Sequence, residues 1–320
     1  MGLIETDYPI TGDVRVALCE TNGTLRSAFQ AALHRRGLRG AEMCRDSAGL
    51  LSLLDAHVID LVICSADLPG LDFPYLVQQI RRRTVGRNPF TLILATKADA
   101  TIDDIRCLIN AGVDRVARTP ISMSDMVNHV NAVIATRKPF VATEDYVGPS
   151  RRAGTRTDGE GVAVQAPNSL HAKMIERGTP ADLDRLIDDG MDELRRMREQ
   201  NSTLALWRAV RRIFRLLTMP DQIERVAEEF PRLLLLCQSA ELRYRGGDDD
   251  HFADIAHCMG RLVELLQRLP EDCIASQAVT LSLMRQMGEV FRQIGKRDPD
   301  TVALAGQIVA AVKTFLISMG

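Results

Sequence analysis

The sequence predicts a chain of class α/β in two parts: a doubly wound, five-stranded parallel sheet, then an all-α helical bundle. Three observations carry this reading. Between residues 14 and 136, short apolar runs alternate with longer amphipathic ones. Over 139–168 the composition shifts to four Gly and three Pro in 30 positions. From Ser169 onward no strand pattern survives and helix punctuation is frequent.

The strands expected in order are Val14–Cys19, Ala41–Cys44, Leu61–Ser65, Thr91–Thr96 and Arg115–Arg118. The intervening helices are Thr24–Arg36, Ser47–Ala56, Phe73–Arg83, Ile102–Ala111 and Ser122–Thr136. The third strand, Leu-Val-Ile-Cys, is continuously apolar, as expected where helices cover both sheet faces. Such a sheet places its chemistry at the strand C-termini, beside the topological switch point. Residues 139–168 read as a linker, or as an arm laid over the surface. Beyond them, Thr179-Pro180 is a helix start with Asp182 and Asp184 in its first turn. Met219-Pro220-Asp221, Gly246-Gly247 before Asp248-Asp249-Asp250, Pro270 and Asp298-Pro299 separate the later helices, six or seven in all. The expected organisation is a tail (1–12), the α/β domain (13–138), the linker or arm (139–168) and the helical domain (169–320).

Composition removes several functions. Forty basic and 42 acidic side chains leave a net charge of −2, so no global field favours nucleic acid or an anionic membrane. Aromatics are 4%, with one Trp, which argues against base-stacking platforms. No run of about 18 apolar residues stands out, so no membrane insertion is expected. The N-terminal stretch carries Glu5, Asp7 and Asp13 and no basic residue, so no secretory signal is expected. Seven scattered cysteines without a Cys-x-x-Cys pair read as reduced thiols of a cytoplasmic protein. No Gly-rich phosphate loop, zinc-type spacing or Gly-x-Ser-x-Gly elbow occurs, and no cofactor is expected.

Five motifs occur in order in the first part. Leu18-Cys19-Glu20-Thr21-Asn22 follows strand one, and Asp60 to Asp72, through Ser65, Asp67 and Leu68-Pro69-Gly70, surrounds strand three. Ala95-Thr96-Lys97-Ala98 ends strand four, Asn110-Ala111-Gly112-Val113 closes helix four, and Arg118-Thr119-Pro120 follows strand five. On these residues the first part resembles the receiver domain of bacterial response regulators, of the chemotaxis-regulator (flavodoxin-like) type. The stretch from Arg137 to Arg152 is similar to an arm that follows receivers in some alphaproteobacterial regulators.

The resemblance implies a phosphoryl-accepting carboxylate, two acids for Mg²⁺ and a lysine for the phosphoryl oxygens. The chain departs from each. Four residues before Pro69 the acceptor position is Ser65; the acidic pair is Glu20-Thr21; the lysine position is Thr119. Only Thr96, the switch hydroxyl, remains. Mg²⁺ dehydrates reluctantly and wants well-placed carboxylates, and a serine hydroxyl without a base is a poor nucleophile. A degenerate, phosphorylation-independent pseudo-receiver is therefore expected. Asp67 is read as a loop acid, Asp60 as remote from the pocket, and Lys97 as a solvated lysine at its mouth. What remains is a partner face on helix four, strand five and helix five, with Arg106, Arg115 and Arg118 as candidate contacts.

In the helical part, Arg208, Arg211, Arg212 and Arg215 share one helix face, which opens a nucleic-acid reading. The competing reading pairs them with a neighbouring acidic helix carrying Asp182, Asp184, Asp188, Asp189, Asp192 and Glu193. His257, with Gly260 and Arg261 after it, is similar to the histidine helix of phosphotransfer domains, displaced by one position. Arg152 and Arg156 have a spacing some cyclic-dinucleotide binders use, without the barrel that follows it there.

The expectation is a cytoplasmic, non-catalytic signal-transduction protein. A pseudo-receiver serves as protein-interaction module, and the helical domain binds a partner or forms a homodimer. The alternatives are a phosphorelay component using His257 or a noncanonical acceptor, and a nucleic-acid-binding regulator.

Overall fold

The computed structural model describes residues 14–35, 37–135, 137–143, 146–151, 163–173, 179–219, 222–246, 250–293 and 299–319. The expected tail 1–12 and the Arg152/Arg156 pair lie outside the described residues. The chain forms two compact units, 1–197 and 198–320.

The first unit alternates β1 (Val16–Cys19), α1 (Gly23–Arg35), β2 (Ala41–Cys44), α2 (Ser47–Ala56), β3 (Leu61–Ser65), α3 (Phe73–Arg81), β4 (Leu92–Ala98), α4 (Ile102–Ala111), β5 (Arg115–Thr119) and α5 (Met123–Ala135). The strands are parallel in the order β2-β1-β3-β4-β5, the flavodoxin-like arrangement, with its switch point between β1 and β3. The apolar run of β3 serves both faces by simple alternation. Leu61 and Ile63 enter a core with Phe29, Leu33 and Val130, while Val62 and Cys64 enter another with Leu50, Leu76 and Ile80. Helix starts are fixed locally: Asp46 accepts from Gly49 N at 2.8 Å, Asp72 from Tyr75 N at 3.0 Å, and Thr101 with Asp104 forms a capping box. Gly112, at φ 111°, ends α4 in the left-handed region.

Residues 139–168 are the main departure in this unit. Their described part is packed rather than a solvated linker, in keeping with the arm reading. β6 (Phe140–Ala142) and β7 (Val147–Pro149) form an antiparallel hairpin, and Val164 bridges to Phe140. Phe140 is fully buried beside Phe90, with the guanidinium carbons of Arg81 and Arg137 5.1 and 5.0 Å from its ring centre. Buried Arg81 donates to the carbonyls of Gly112, Pro89 and Thr91 and pairs with Asp114 at 2.7 Å. Burial pulls the Arg137 guanidinium down to about 10, so it stays charged at neutral pH. A short α6 (Ser169–His171) follows. Leu170 enters the Phe29 core, and Lys173 makes a buried ion pair with Asp60 at 2.7 Å.

α7 (Pro180–Leu217) is a single helix of 38 residues. The composition-based boundary at 168/169 therefore differs from the division observed, which falls inside α7, because Ile187, Leu194 and Met197 complete the Phe140 cluster. Gly190 sits where a Cβ would lie 2.5 Å from Pro167 Cγ. Continuity of α7 also corrects the charge reading: the acids Asp182 to Glu193 and the arginines Arg208 to Arg215 share one helix.

The second unit comprises the rest of α7 with α8 (Ile223–Tyr244), α9 (Asp250–Gln267), a turn α10 (Glu271–Ile274), α11 (Ala278–Gln293) and α12 (Pro299–Met319). Contacts between Arg245 and Asp254, Glu241 and His257, and Cys237 and Gly260 run in opposite order along α8 and α9, so these helices are antiparallel. α9 is central, with Phe252, Ala256, Met259 and Val263 fully buried or nearly so. Over Pro299–Ser318 the last helix is long and apolar enough to cross a membrane by length and composition, at mean hydropathy 1.6; the sequence reading missed this. Its apolar positions are interrupted by Gln307 and Lys313, so no unbroken run is visible. Ala305, Ile308 and Val312 join the core of this unit.

Candidate functional site

The C-terminal ends of β1, β3, β4 and β5 open into a cavity of about 490 Å³. Sequence logic gathers its residues here: each of Glu20, Thr21, Ser65, Thr96 and Thr119 lies at a strand end or just past it, and all five line the cavity. Behind them, Cys19, Cys44 and Cys64 form one lateral row across β2, β1 and β3. The hydrogen bond with Cys19, together with burial, pushes the Cys44 thiol far above its usual range, so it offers no thiolate.

The polar groups of the cavity floor bind one another. Glu20 is 4% exposed; its Oε1 accepts from Asn22 N at 3.0 Å and its Oε2 from the Thr96 hydroxyl at 3.0 Å. Thr96 is therefore committed to Glu20. Ser65 Oγ accepts from Asp67 N at 3.3 Å, a local turn closing the end of β3. Asp67 pairs with Lys97, which corrects the reading of both as plain solvated groups. The hydrogen bond to Asp67 raises the ammonium above its ordinary value, with desolvation opposing. Asp60 lies at the opposite end of β3, as expected, accepting from Arg15 N at 2.8 Å.

Chemically, the floor holds one buried carboxyl group and several hydroxyls. The lining contains no Lys, Arg or His, so no cationic side chain of the lining faces a phosphoryl group there. Residues that the sequence reading left out are Asp99 at the rim and the apolar wall, including Leu25, Ile121 and Met126. The wall comes from α1, α5 and the loop after β5, and its members are spaced as ordinary core residues, so nothing in the sequence separates them from core.

The other candidates are spread over the surface. Arg106 pairs with Asp103 at 3.1 Å, Arg115 Nε donates to His129 Nδ1 at 2.9 Å, and Arg118 is exposed on the edge strand β5. Ile102 is 64% exposed on the same side of the fold, at the start of α4. In the second unit, Arg212 pairs with Glu229 of α8 at 2.9 Å and Arg211 lies 5.2 Å from the Trp207 ring centre, so internal contacts use part of the basic stripe. His257 is half-exposed and bonded through Nδ1 to Glu241 at 3.1 Å. Burial works against the Glu241 carboxylate, yet hydrogen bonds from Arg245 and His257 hold it below its ordinary value. Gly260 does not open a path to His257: its missing Cβ would meet Leu234 and Cys237 at 3.5 and 3.7 Å, inside the α8–α9 contact.

No family model matches the chain, and no curated protein matches it. Solved structures similar to it include an orphan response regulator of H. pylori, at 21% identity and TM-score 0.33, covering 38% of this chain and 97% of that one. A response regulator from Thermotoga maritima is 20% identical at TM-score 0.34, covering 38% and 98%. The signal receiver domain of a LuxO repressor protein from Vibrio parahaemolyticus is 17% identical at TM-score 0.34, covering 38% and 88%. The strand order, rather than these scores, assigns the fold: the first unit contains a five-stranded receiver-type sheet, and a helical region follows it.

Proposed function

We propose that this chain is a non-catalytic signalling protein of the two-component type, in which a pseudo-receiver works by binding partners and not by carrying phosphate. One observation carries the reading. Glu20 accepts from the Thr96 hydroxyl, and Ser65 Oγ from the Asp67 amide, at the floor of a cavity without any cationic lining residue. A phosphoryl group arriving there would meet an unneutralised carboxyl group and an unactivated hydroxyl. Like charges in a poorly solvated site repel strongly, so capture of phosphate is disfavoured before any chemistry begins.

The partner surface is the α4–β5–α5 face, where Ile102, Arg106, Arg115 and Arg118 supply apolar area and positive charge for an acidic protein partner. The helical unit is the second binding or dimerising module, and the protein works in the cytoplasm. Incubation of the full chain with acetyl phosphate and Mg²⁺, read by intact mass, is expected to give no acid-labile adduct. A stoichiometric adduct on the first unit would reject the pseudo-receiver.

A further inference from the structure

The cavity at the strand ends is not a closed scar. At about 490 Å³ it lies within the ~300–1,000 Å³ usual for small-molecule sites. It has two chemically distinct sides. The floor is polar, with Glu20 at its centre; the wall toward α1 and α5 is apolar, made by Leu25, Ile121 and Met126. Asp99 stands at the rim.

Glu20 is the informative group. It is 4% exposed, yet among the described residues no cation reaches its carboxyl oxygens. The nearby guanidinium of Arg26 donates instead to the Glu20 backbone carbonyl at 2.8 Å, and Lys97 is taken by Asp67. Each carboxyl oxygen receives one neutral hydrogen bond, which leaves about half of a carboxylate's four lone-pair sites unused. A desolvated carboxylate with spare acceptor capacity and no counter-charge is costly unless a cation completes it. The neighbouring hydroxyls of Ser65, Thr96 and Thr119 add acceptors but no charge.

We propose that this cavity binds a small organic ammonium ion, its charged head against Glu20 and its apolar body along Leu25, Ile121 and Met126. A bare metal ion would use the floor and leave the apolar wall idle. Among the described residues no group of three or more His, Cys, Asp or Glu is close enough to hold one. An anion is repelled by the same carboxyl group. The inference deepens the pseudo-receiver reading and rests on it: the pocket that no longer takes phosphate takes a ligand of opposite charge, and that ligand sets the state of the domain.

The test uses the full chain and two probes with one aromatic body and opposite charges, 2-phenylethylamine and phenylacetate, titrated by calorimetry at neutral pH. The amine is expected to bind at one site and to shift the Met126 methyl resonance, while phenylacetate does neither. Glu20→Gln keeps the shape and the acceptor for Thr96 but removes the charge, and should weaken amine binding by about ten- to a hundredfold. Thr21→Lys, at an exposed rim position, supplies an internal cation and should abolish amine binding even if the Glu20 variant folds poorly. The proposal falls if the amine fails to saturate up to about 1 mM, if both probes bind alike, or if Glu20→Gln leaves the amine affinity unchanged. The acetyl phosphate experiment stands apart. An adduct there overturns the pseudo-receiver itself, whereas no adduct and no amine binding overturn this inference alone.

Discussion

In the proposed pseudo-receiver, Ser65 takes the place of the phosphoryl-accepting carboxylate, Thr21 that of one of the two acids for Mg²⁺, and Thr119 that of the lysine for the phosphoryl oxygens. On that proposal the three substitutions act together, because an acyl phosphate needs its nucleophile, its metal and its charge neutralisation at once. Repairing one residue therefore should not repair the site. Ser65→Asp adds a carboxylate near Glu20 and Asp67 without a metal cage or a lysine, and is expected to give no adduct with acetyl phosphate and Mg²⁺. The triple change Thr21→Asp, Ser65→Asp and Thr119→Lys restores all three groups on an unchanged sheet and should yield an acid-labile adduct of one phosphoryl group by intact mass. An adduct on the single variant, or none on the triple, would show that something other than these side chains sets the chemistry.

At the scale of elements, β5 and α5 are tied by the Arg115 Nε to His129 Nδ1 hydrogen bond, which needs a neutral imidazole. Burial, then the Arg115 guanidinium, lowers the His129 pKa from 6.5, with Asp125 weakly opposing. As pH falls through about 6.5, the unfolded chain takes up its proton first, so stability declines until the folded imidazole is protonated too. His129→Gln should flatten this slope between about pH 7.5 and 5.5, read as the urea midpoint of the first unit. Equal slopes in the two proteins would sever the link between this pair and stability. Elements of this kind were legible because apolar patterning reports burial: Leu61–Ser65 lies where a continuous apolar run puts a strand, and Ile102–Ala111 where an amphipathic run puts a helix. The hairpin β6–β7 was not legible as a hairpin. Its strands are three residues each, and what buries Phe140 is a cluster drawn from distant segments, Phe90 before it and Ile187 to Met197 after it, with Arg81 and Arg137 over the ring. The unbroken α7 was missed for a related reason. Its acidic start and basic end read as two surfaces, while helix continuity depends on the absence of a breaker and not on charge.

At the scale of the whole molecule, the receiver-like sheet does not end where its fifth helix ends. Residues 137–197 supply Phe140, Val164, Ile187 and Met197 to one core, Leu170 to another and Lys173 to the buried Asp60. A fragment of residues 1–138 would expose Phe90 and leave Asp60, 1% exposed in the whole chain, without its counter-ion. Leaving a buried charge unpaired costs about 3–5 kcal/mol, a large share of the ~5–15 kcal/mol that holds a domain together. Fragment 1–197 keeps these contacts. It is expected to unfold in urea as one cooperative step, at a clearly higher midpoint than 1–138. Lys173→Met in the full chain separates the ion pair from the rest: it should lower the midpoint of the first unit while keeping the hairpin, and Asp60→Asn added to it should recover part of the loss, because no uncompensated charge then remains buried. If 1–138 matched 1–197 in stability, the segment after the sheet would be an appendage. If instead the longer fragment alone is stable, the folding unit is larger than the sheet and its five helices, and a partner meeting the α4–β5–α5 face meets a domain braced by its own arm.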